Sequence, residues 1–189
     1  MGRQYFPSFA AETPVADFAA IIATTETNLL TTNTNLALFT PIPAAFSNAD
    51  GSPQVGKVYR FVYGGIVSTS ATGTLTITPR YGTTTAGITL GASGAQTVSA
   101  SLTNVPFHME FSLVCRALSA AASGSTFVGT GWIGISGMLA TAGTGMLVPF
   151  GGTTATTCDT SIASSVCFGW TLSVAGSVTP KYAFVQYLN

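Results

Sequence analysis

The chain has 189 residues, of which 47% are hydrophobic and 6% are charged, and its six basic and six acidic residues cancel to a net charge of zero. The charged fraction is far below the roughly 25% of ordinary globular domains, but the high hydrophobic content excludes a disordered chain. The basic residues are scattered and offer no cluster for phosphate binding. A chain of this length can form one domain with a substantial core, and a surface so poor in charge favours association with other protein surfaces.

Residues 1–26 are predicted to form an extended N-terminal arm. The segment is not a secretory signal, because Glu12 and Asp17 interrupt it, and no stretch of the chain reaches the roughly 18 apolar residues of a membrane helix. We therefore expect no membrane partner and folding in a reducing cytoplasm.

The arm has two interpretations. It could be a terminal strand or a frayed end, or it could dock on another protein through exposed aromatic side chains that need cover. The candidate docking residues are Arg3, Tyr5, Phe6 and Phe9.

Residues 27–189 are predicted to form a single β-sandwich domain. Roughly eight to ten short runs rich in β-branched and aromatic residues are separated by Gly, Pro, Asn and Ser turns, with no helical pattern between them. This arrangement excludes a parallel βαβ fold and predicts an all-β, two-sheet antiparallel sandwich, with a jelly roll as the expected topology.

Two strand patterns carry the candidate interface residues. In "KVYRFVY" (57–63) both faces are apolar, so one face should enter the core and part of the other, with Arg60, should meet another surface. In "PFHMEFSLVCRAL" (106–118) one face is fully apolar, and the other carries His108, Glu110 and Arg116. Arg60 is predicted to pair with Glu110 if the two strands are adjacent.

The sequence offers little for catalysis. His108 is the single histidine, and with Glu110 it provides only two possible metal ligands, which do not make a site, so structural hydrogen bonding is the expected role of this pair. We expect no enzyme activity, no metal and no cofactor. Both tryptophans, Trp132 and Trp170, lie inside strand patterns and are predicted to fill the core.

The three cysteines fit no zinc spacing. Cys115 lies in an apolar strand pattern and is expected to be a small buried side chain. Cys158 and Cys167 could pair after release into an oxidising medium, but free thiols are expected.

Three stretches resemble a known group of proteins. They are "GTLTITPRYGTTTAGITLGASGAQTVSASLTNVPFHMEFSLVCRAL" (73–118), "GTGWIG" (129–134) and "FGWTLSVAGSVTPKYAFVQYLN" (168–189), preceded by "FTPIPA" (39–44). They resemble the jelly-roll capsid decoration, or cement, proteins and other small virion structural proteins of tailed bacteriophages. The resemblance covers roughly residues 57–189, and the arm is its least matched part.

The resemblance implies a homotrimer, or a dimer, that assembles in the bacterial host cytoplasm. It would bind the outside of the shell and tie neighbouring major capsid proteins together, with no catalytic residues. The alternative is a tail, neck or fibre-base part of the virion, with or without binding of a host glycan. Neither alternative involves nucleic acid or a membrane.

Overall fold

The structure is a computed structural model that describes residues 8–11, 22, 24–29, 42–45, 52–119, 123–136 and 146–188. These residues form twelve strands and no helix, and accordingly none of them belongs to a helix of the length and apolarity that crossing a membrane requires. The strands are Ser8–Ala11 (β1), Thr27–Asn28 (β2), Val58–Thr69 (β3), Gly73–Tyr81 (β4), Ile88–Thr89 (β5), Gln96–Val98 (β6), Val105–Ala117 (β7), Ser123–Ile135 (β8), Met146–Gly151 (β9), Thr156–Asp159 (β10), Val166–Leu172 (β11) and Gly176–Leu188 (β12).

The strands form two antiparallel sheets that pack as a sandwich, which confirms the predicted fold class. The seven-stranded sheet has the order β1-β12-β3-β7-β8-β10, and β9 also pairs with β8. The five-stranded sheet has the order β2-β11-β4-β5, and β6 also pairs with β4.

The alternation of side chains along β7 explains how one sheet face becomes the core. Phe107, Met109, Phe111, Leu113 and Cys115 are all buried, whereas the residues between them are not. Because successive side chains of a strand point to opposite faces, this alternation fixes which face of β7 packs inward.

Aromatic side chains join the two sheets across the core. Phe168 on β11 lies 4.9 Å, centroid to centroid, from Tyr63 on β3 and 5.4 Å from Phe111 on β7. Trp170 on the same strand is 1% exposed, so its predicted core position is confirmed. Large aromatic rings in edge contacts of this kind contribute both buried area and a preferred geometry.

The two sheets are connected as a folded ribbon. The antiparallel pair β12–β3 in the larger sheet continues as the antiparallel pair β11–β4 in the smaller one. Ribbons folded in this way occur in jelly rolls, so the observed sandwich is consistent with the predicted topology.

Part of the predicted arm lies in the sandwich. Ser8–Ala11 forms β1 and pairs with β12, with the backbone of Phe9 opposite Gln186, as the terminal-strand interpretation expected. Arg3, Tyr5 and Phe6 lie outside the described residues, so docking by the arm stays a prediction.

All three cysteines are free, as expected, and all three are buried, which had been predicted for Cys115. Burial raises the pKa of Cys115 to about 11 and the pKa of Cys158 and of Cys167 to about 12. The thiols therefore stay protonated near neutral pH and act as small apolar side chains.

Candidate functional site: an aromatic and ionic band

The outer face of the seven-stranded sheet carries two neighbouring rows of side chains that cross five strands. These side chains belong to residues that alternate with the core-facing ones, so they point away from the smaller sheet. The first row is Tyr182, Gly64, His108, Gly134 and Leu147, and the second is Phe184, Val62, Glu110, Trp132 and Pro149. We call the set Arg60, His108, Glu110, Trp132, Tyr182 and Phe184 the band.

The rings of the band form a continuous line across the sheet. The His108 ring lies 5.4 Å from the Trp132 ring and 6.3 Å from the Tyr182 ring, measured between centroids. The Tyr182 and Phe184 rings are stacked at 6.5 Å with 19° between their planes. Neighbouring rings at these separations hold one another in place.

Two glycines let the larger rings lie against the backbone. A Cβ atom at Gly64 would clash with the ring of Tyr182, and one at Gly134 would lie 3.4 Å from Cζ3 of Trp132. The Tyr182 ring thus occupies the space above a glycine on the neighbouring strand β3, and the Trp132 ring lies beside a glycine two residues further along its own strand. A substitution at Gly64 would lift the Tyr182 ring.

Arg60 and Glu110 form the predicted ion pair beside these rings. Nη2 of Arg60 lies 2.7 Å from both carboxylate oxygens of Glu110, and Nε donates to Oε2 at 3.2 Å. Nη1 donates to Oε1 of Gln186 at 3.4 Å. The pKa of Glu110 is lowered by the hydrogen bonds from Arg60, partly opposed by burial and assisted by the hydrogen bond from His108.

His108 connects Tyr182 to this pair. Its Nε2 lies 3.2 Å from Oε1 of Glu110, and its Nδ1 lies 2.8 Å from the hydroxyl of Tyr182. Because a carboxylate can only accept, Nε2 is the donor to Glu110, and in the neutral ring Nδ1 then accepts from Tyr182. The hydrogen bonds therefore run in one direction, from Tyr182 through His108 to Glu110.

The titratable groups of the band are engaged by hydrogen bonds with one another. The pKa of Tyr182 is raised, mainly by burial and then by the charge of Glu110, so this phenol is a weak nucleophile. Glu110 is engaged by Arg60 through both oxygens and its pKa is low, so it is a weak base. Across the part of the chain that the structure describes, no three His, Cys, Asp or Glu side chains are grouped for a metal ion.

The structure brings three of the four predicted interface residues together and places the fourth elsewhere on the same sheet. Arg60, His108 and Glu110 come together in the band. Arg116 is exposed on the same strand but lies six residues beyond Glu110, or about 20 Å along β7, next to a shift in the register between Cys115 and Ala117. Arg116 is therefore not part of this site.

The predicted core position of Trp132 is wrong. Trp132 lies on the outer face of β8 and is partly exposed, while its neighbour Ile133 faces the core and is buried. Tyr182 and Phe184 were not singled out from the sequence, although the alternation in "KYAFVQY" (181–187) places them on one face.

Acid is expected to remove the stabilisation that Glu110 provides. Because the pKa of Glu110 is lowered in the folded state, this stabilisation is fully present above the unfolded-state pKa, ordinarily about 4.3, and is lost as the pH falls through the folded-state value. The Glu110→Gln variant has no carboxylate at this position, so its stability does not depend on the titration of this group. The difference in unfolding free energy between the wild type and Glu110→Gln should therefore shrink between about pH 5 and about pH 2.5 in urea titrations. An equal difference at both pH values would contradict the lowered pKa.

No protein-family model, no curated protein and no solved structure matches the chain.

Proposed function

We propose that this chain is a non-catalytic virion structural protein, a decoration protein of a tailed bacteriophage that binds the outside of the major capsid shell as an oligomer. The homotrimer is the favoured oligomer and the dimer the alternative. Binding of the folded form by neighbouring subunits would stabilise both the shell and the sandwich by mass action.

The observation that supports this proposal is that an ion pair neutralises an arginine on the outer face of each sheet. Arg60 pairs with Glu110 on the larger sheet, and Arg80 pairs with Glu26 on the smaller sheet. On the smaller sheet the other outer positions of the paired strands are uncharged, and four of them carry hydroxyl side chains: Thr74, Thr76 and Thr78 of β4 and Thr171 of β11. Interface cores are depleted in charged residues, and hydroxyls can form hydrogen bonds across a symmetry axis without bringing like charges together.

The sheet edges give a second reason for association. β10 ends the order of the larger sheet, and β5, where Ile88 is 43% exposed, ends that of the smaller sheet. An edge strand exposes backbone groups that can pair with another chain, and an oligomer or a shell would cover them.

The first test is assembly. Light scattering should give the mass of three chains, and mixing with undecorated shells should give bound protein and a higher melting temperature of the shell. A protein that stays a monomer at high concentration and does not bind shells would contradict the proposal.

The docking arm can be tested with two nested deletions. Deleting residues 2–7 removes Arg3, Tyr5 and Phe6 and leaves β1 in the sheet, and it should abolish shell binding without changing the oligomer. Deleting residues 2–11 also removes β1 and serves as the comparison. Loss of the oligomer in the shorter deletion would rule out the arm as a separate docking device.

The alternative, a tail, neck or fibre-base part of the virion, is favoured by the position of Trp132. A partly exposed ring on a sheet face is available to a ligand, whereas a core tryptophan is not. A density map of the virion would distinguish the two, because a decoration protein repeats over the shell and a tail part does not.

A further inference from the structure

We propose that the band is a binding site for a neutral oligosaccharide. This inference goes beyond the structural role and holds whether the protein lies on a shell or on a tail. The band combines the two features that a sugar requires, namely aromatic faces for its C–H surfaces and paired hydrogen-bonding groups for its hydroxyls.

The aromatic contribution comes from rings that lie against the sheet. Tyr182 occupies the space above Gly64, Trp132 lies beside Gly134, and both residues are partly exposed on the outer face of the sheet. His108 bridges them at centroid distances of 6.3 Å and 5.4 Å. Pyranose rings have apolar C–H faces, and flat, fixed aromatic surfaces bind such faces with little loss of side-chain freedom.

The polar contribution comes from Arg60 and Glu110, whose side chains are 37% and 23% exposed and thus reachable. The two side chains are hydrogen-bonded to each other, but Nη1 of Arg60 carries two N–H groups and uses one of them for Oε1 of Gln186 at 3.4 Å. A sugar hydroxyl both donates and accepts, so adjacent hydroxyls can accept from Nη1 of Arg60 and donate to the amide oxygen of Gln186.

The charge of the band determines which sugars fit. Arg60 is already neutralised by Glu110, so the site offers no uncompensated cation to a phosphate, sulfate or sialic acid group. The preferred ligand is therefore uncharged and rich in hydroxyls.

The spacing of the rings determines the length of the ligand. Tyr182 lies on β12 and Trp132 on β8, three strand spacings apart in the sheet order, and the distances of their rings to the His108 ring place the two ring centroids at most about 12 Å apart. One sugar ring cannot contact both residues, but a short oligosaccharide can. Affinity should therefore rise with the number of sugar units.

Tryptophan fluorescence provides the direct test, using the full chain. The chain has two tryptophans, and Trp170 is buried in the core, so a ligand on the band changes the emission of Trp132. The probes are the neutral hexasaccharides of β-1,4-linked glucose, galactose and mannose, with their monosaccharides as comparison. At least one hexasaccharide should change the emission and bind at least about tenfold more tightly than its monosaccharide.

Variants separate ring stacking from hydrogen bonding. Trp132→Ala and Tyr182→Ala should each weaken binding of that hexasaccharide about tenfold, measured by calorimetry. Tyr182→Phe keeps the ring and removes the hydroxyl that bonds to His108, so it should retain most of the affinity. Val128→Ala, on the outer face of β8 and four residues from Trp132, is the matched control and should bind like the wild type. Urea midpoints of all variants check that the sandwich is folded.

Three results would overturn the inference. The first is that no neutral hexasaccharide binds, and the second is that Trp132→Ala, folded, binds as tightly as the wild type. The third is tighter binding of sialylated or sulfated glycans than of neutral ones. If Trp132→Ala loses shell attachment and no sugar binds, the band is a protein-docking surface. Retained shell attachment without sugar binding overturns this inference alone and leaves the structural role standing.

Discussion

Replacing Phe111 by alanine is expected to lower the free energy of unfolding by about 4 kcal/mol. The ring is fully buried and lies 5.4 Å from Phe168 of the opposite sheet, 5.8 Å from Phe150 and 6.5 Å from Phe61, between centroids. Its removal leaves a cavity between the sheets that the paired strands cannot close. Urea unfolding at neutral pH measures the loss. Leu147→Ala is the control: this side chain is 67% exposed, and the change should be within about 0.5 kcal/mol.

The Phe111 ring also explains why the neighbouring strand has a glycine, with no side chain, at position 129. A Cβ atom at Gly129 would clash with Cζ of Phe111, so Gly129→Ala should cost about 1–3 kcal/mol in the wild type. In the Phe111→Ala background the added methyl group enters the vacated space and should cost far less. Equal costs in the two backgrounds would show that the two sites are independent and would contradict this packing.

The fold class could be predicted because the alternation of core-facing and outward-facing residues along a strand is visible in the sequence. The five core-facing residues of β7 and the β-branched and aromatic content of β3 are local properties, and both led to an antiparallel sandwich. Which strands lie next to each other in a sheet, in contrast, depends on contacts between segments that are distant in the sequence. The structure places Arg60 directly opposite Ser112, and the carboxylate of Glu110 reaches it diagonally. The sequence could suggest that pair but not its register.

The band was only partly predictable for a physical reason. In "GTGWIGIS" (129–136) Trp132 and Ile133 are both apolar, so the pattern does not decide which of them faces the core. The hydrogen bond between His108 and Tyr182 joins residues 74 positions apart, and the space above Gly64 exists only after three strands have paired. Sites of this kind are created by cross-strand neighbours, which a single strand pattern does not encode.

The second ion pair attaches the end of the predicted arm to the smaller sheet. Glu26 accepts two hydrogen bonds from Arg80 in a bidentate pair, from Nε at 2.6 Å and from Nη2 at 2.8 Å. Nη1 of Arg80 donates to Oγ1 of Thr89 at 2.7 Å and to the carbonyl of Gly87 at 3.2 Å. The Glu26 side chain also lies directly over Gly169, where a Cβ atom would collide with it. Glu26 therefore both neutralises Arg80 and covers β11.

Glu26→Ala is expected to lower the free energy of unfolding by about 2 kcal/mol, because it leaves a largely buried guanidinium with neutral acceptors only. The double variant Glu26→Ala/Arg80→Met removes both charges, so it should recover at least about half of that loss. Urea unfolding of the two variants and of Arg80→Met completes the cycle and gives the coupling between the two side chains. If the double variant is less stable by the sum of the two single losses, the charges do not interact, and the pairing of β2 with β11 holds this segment on the sheet.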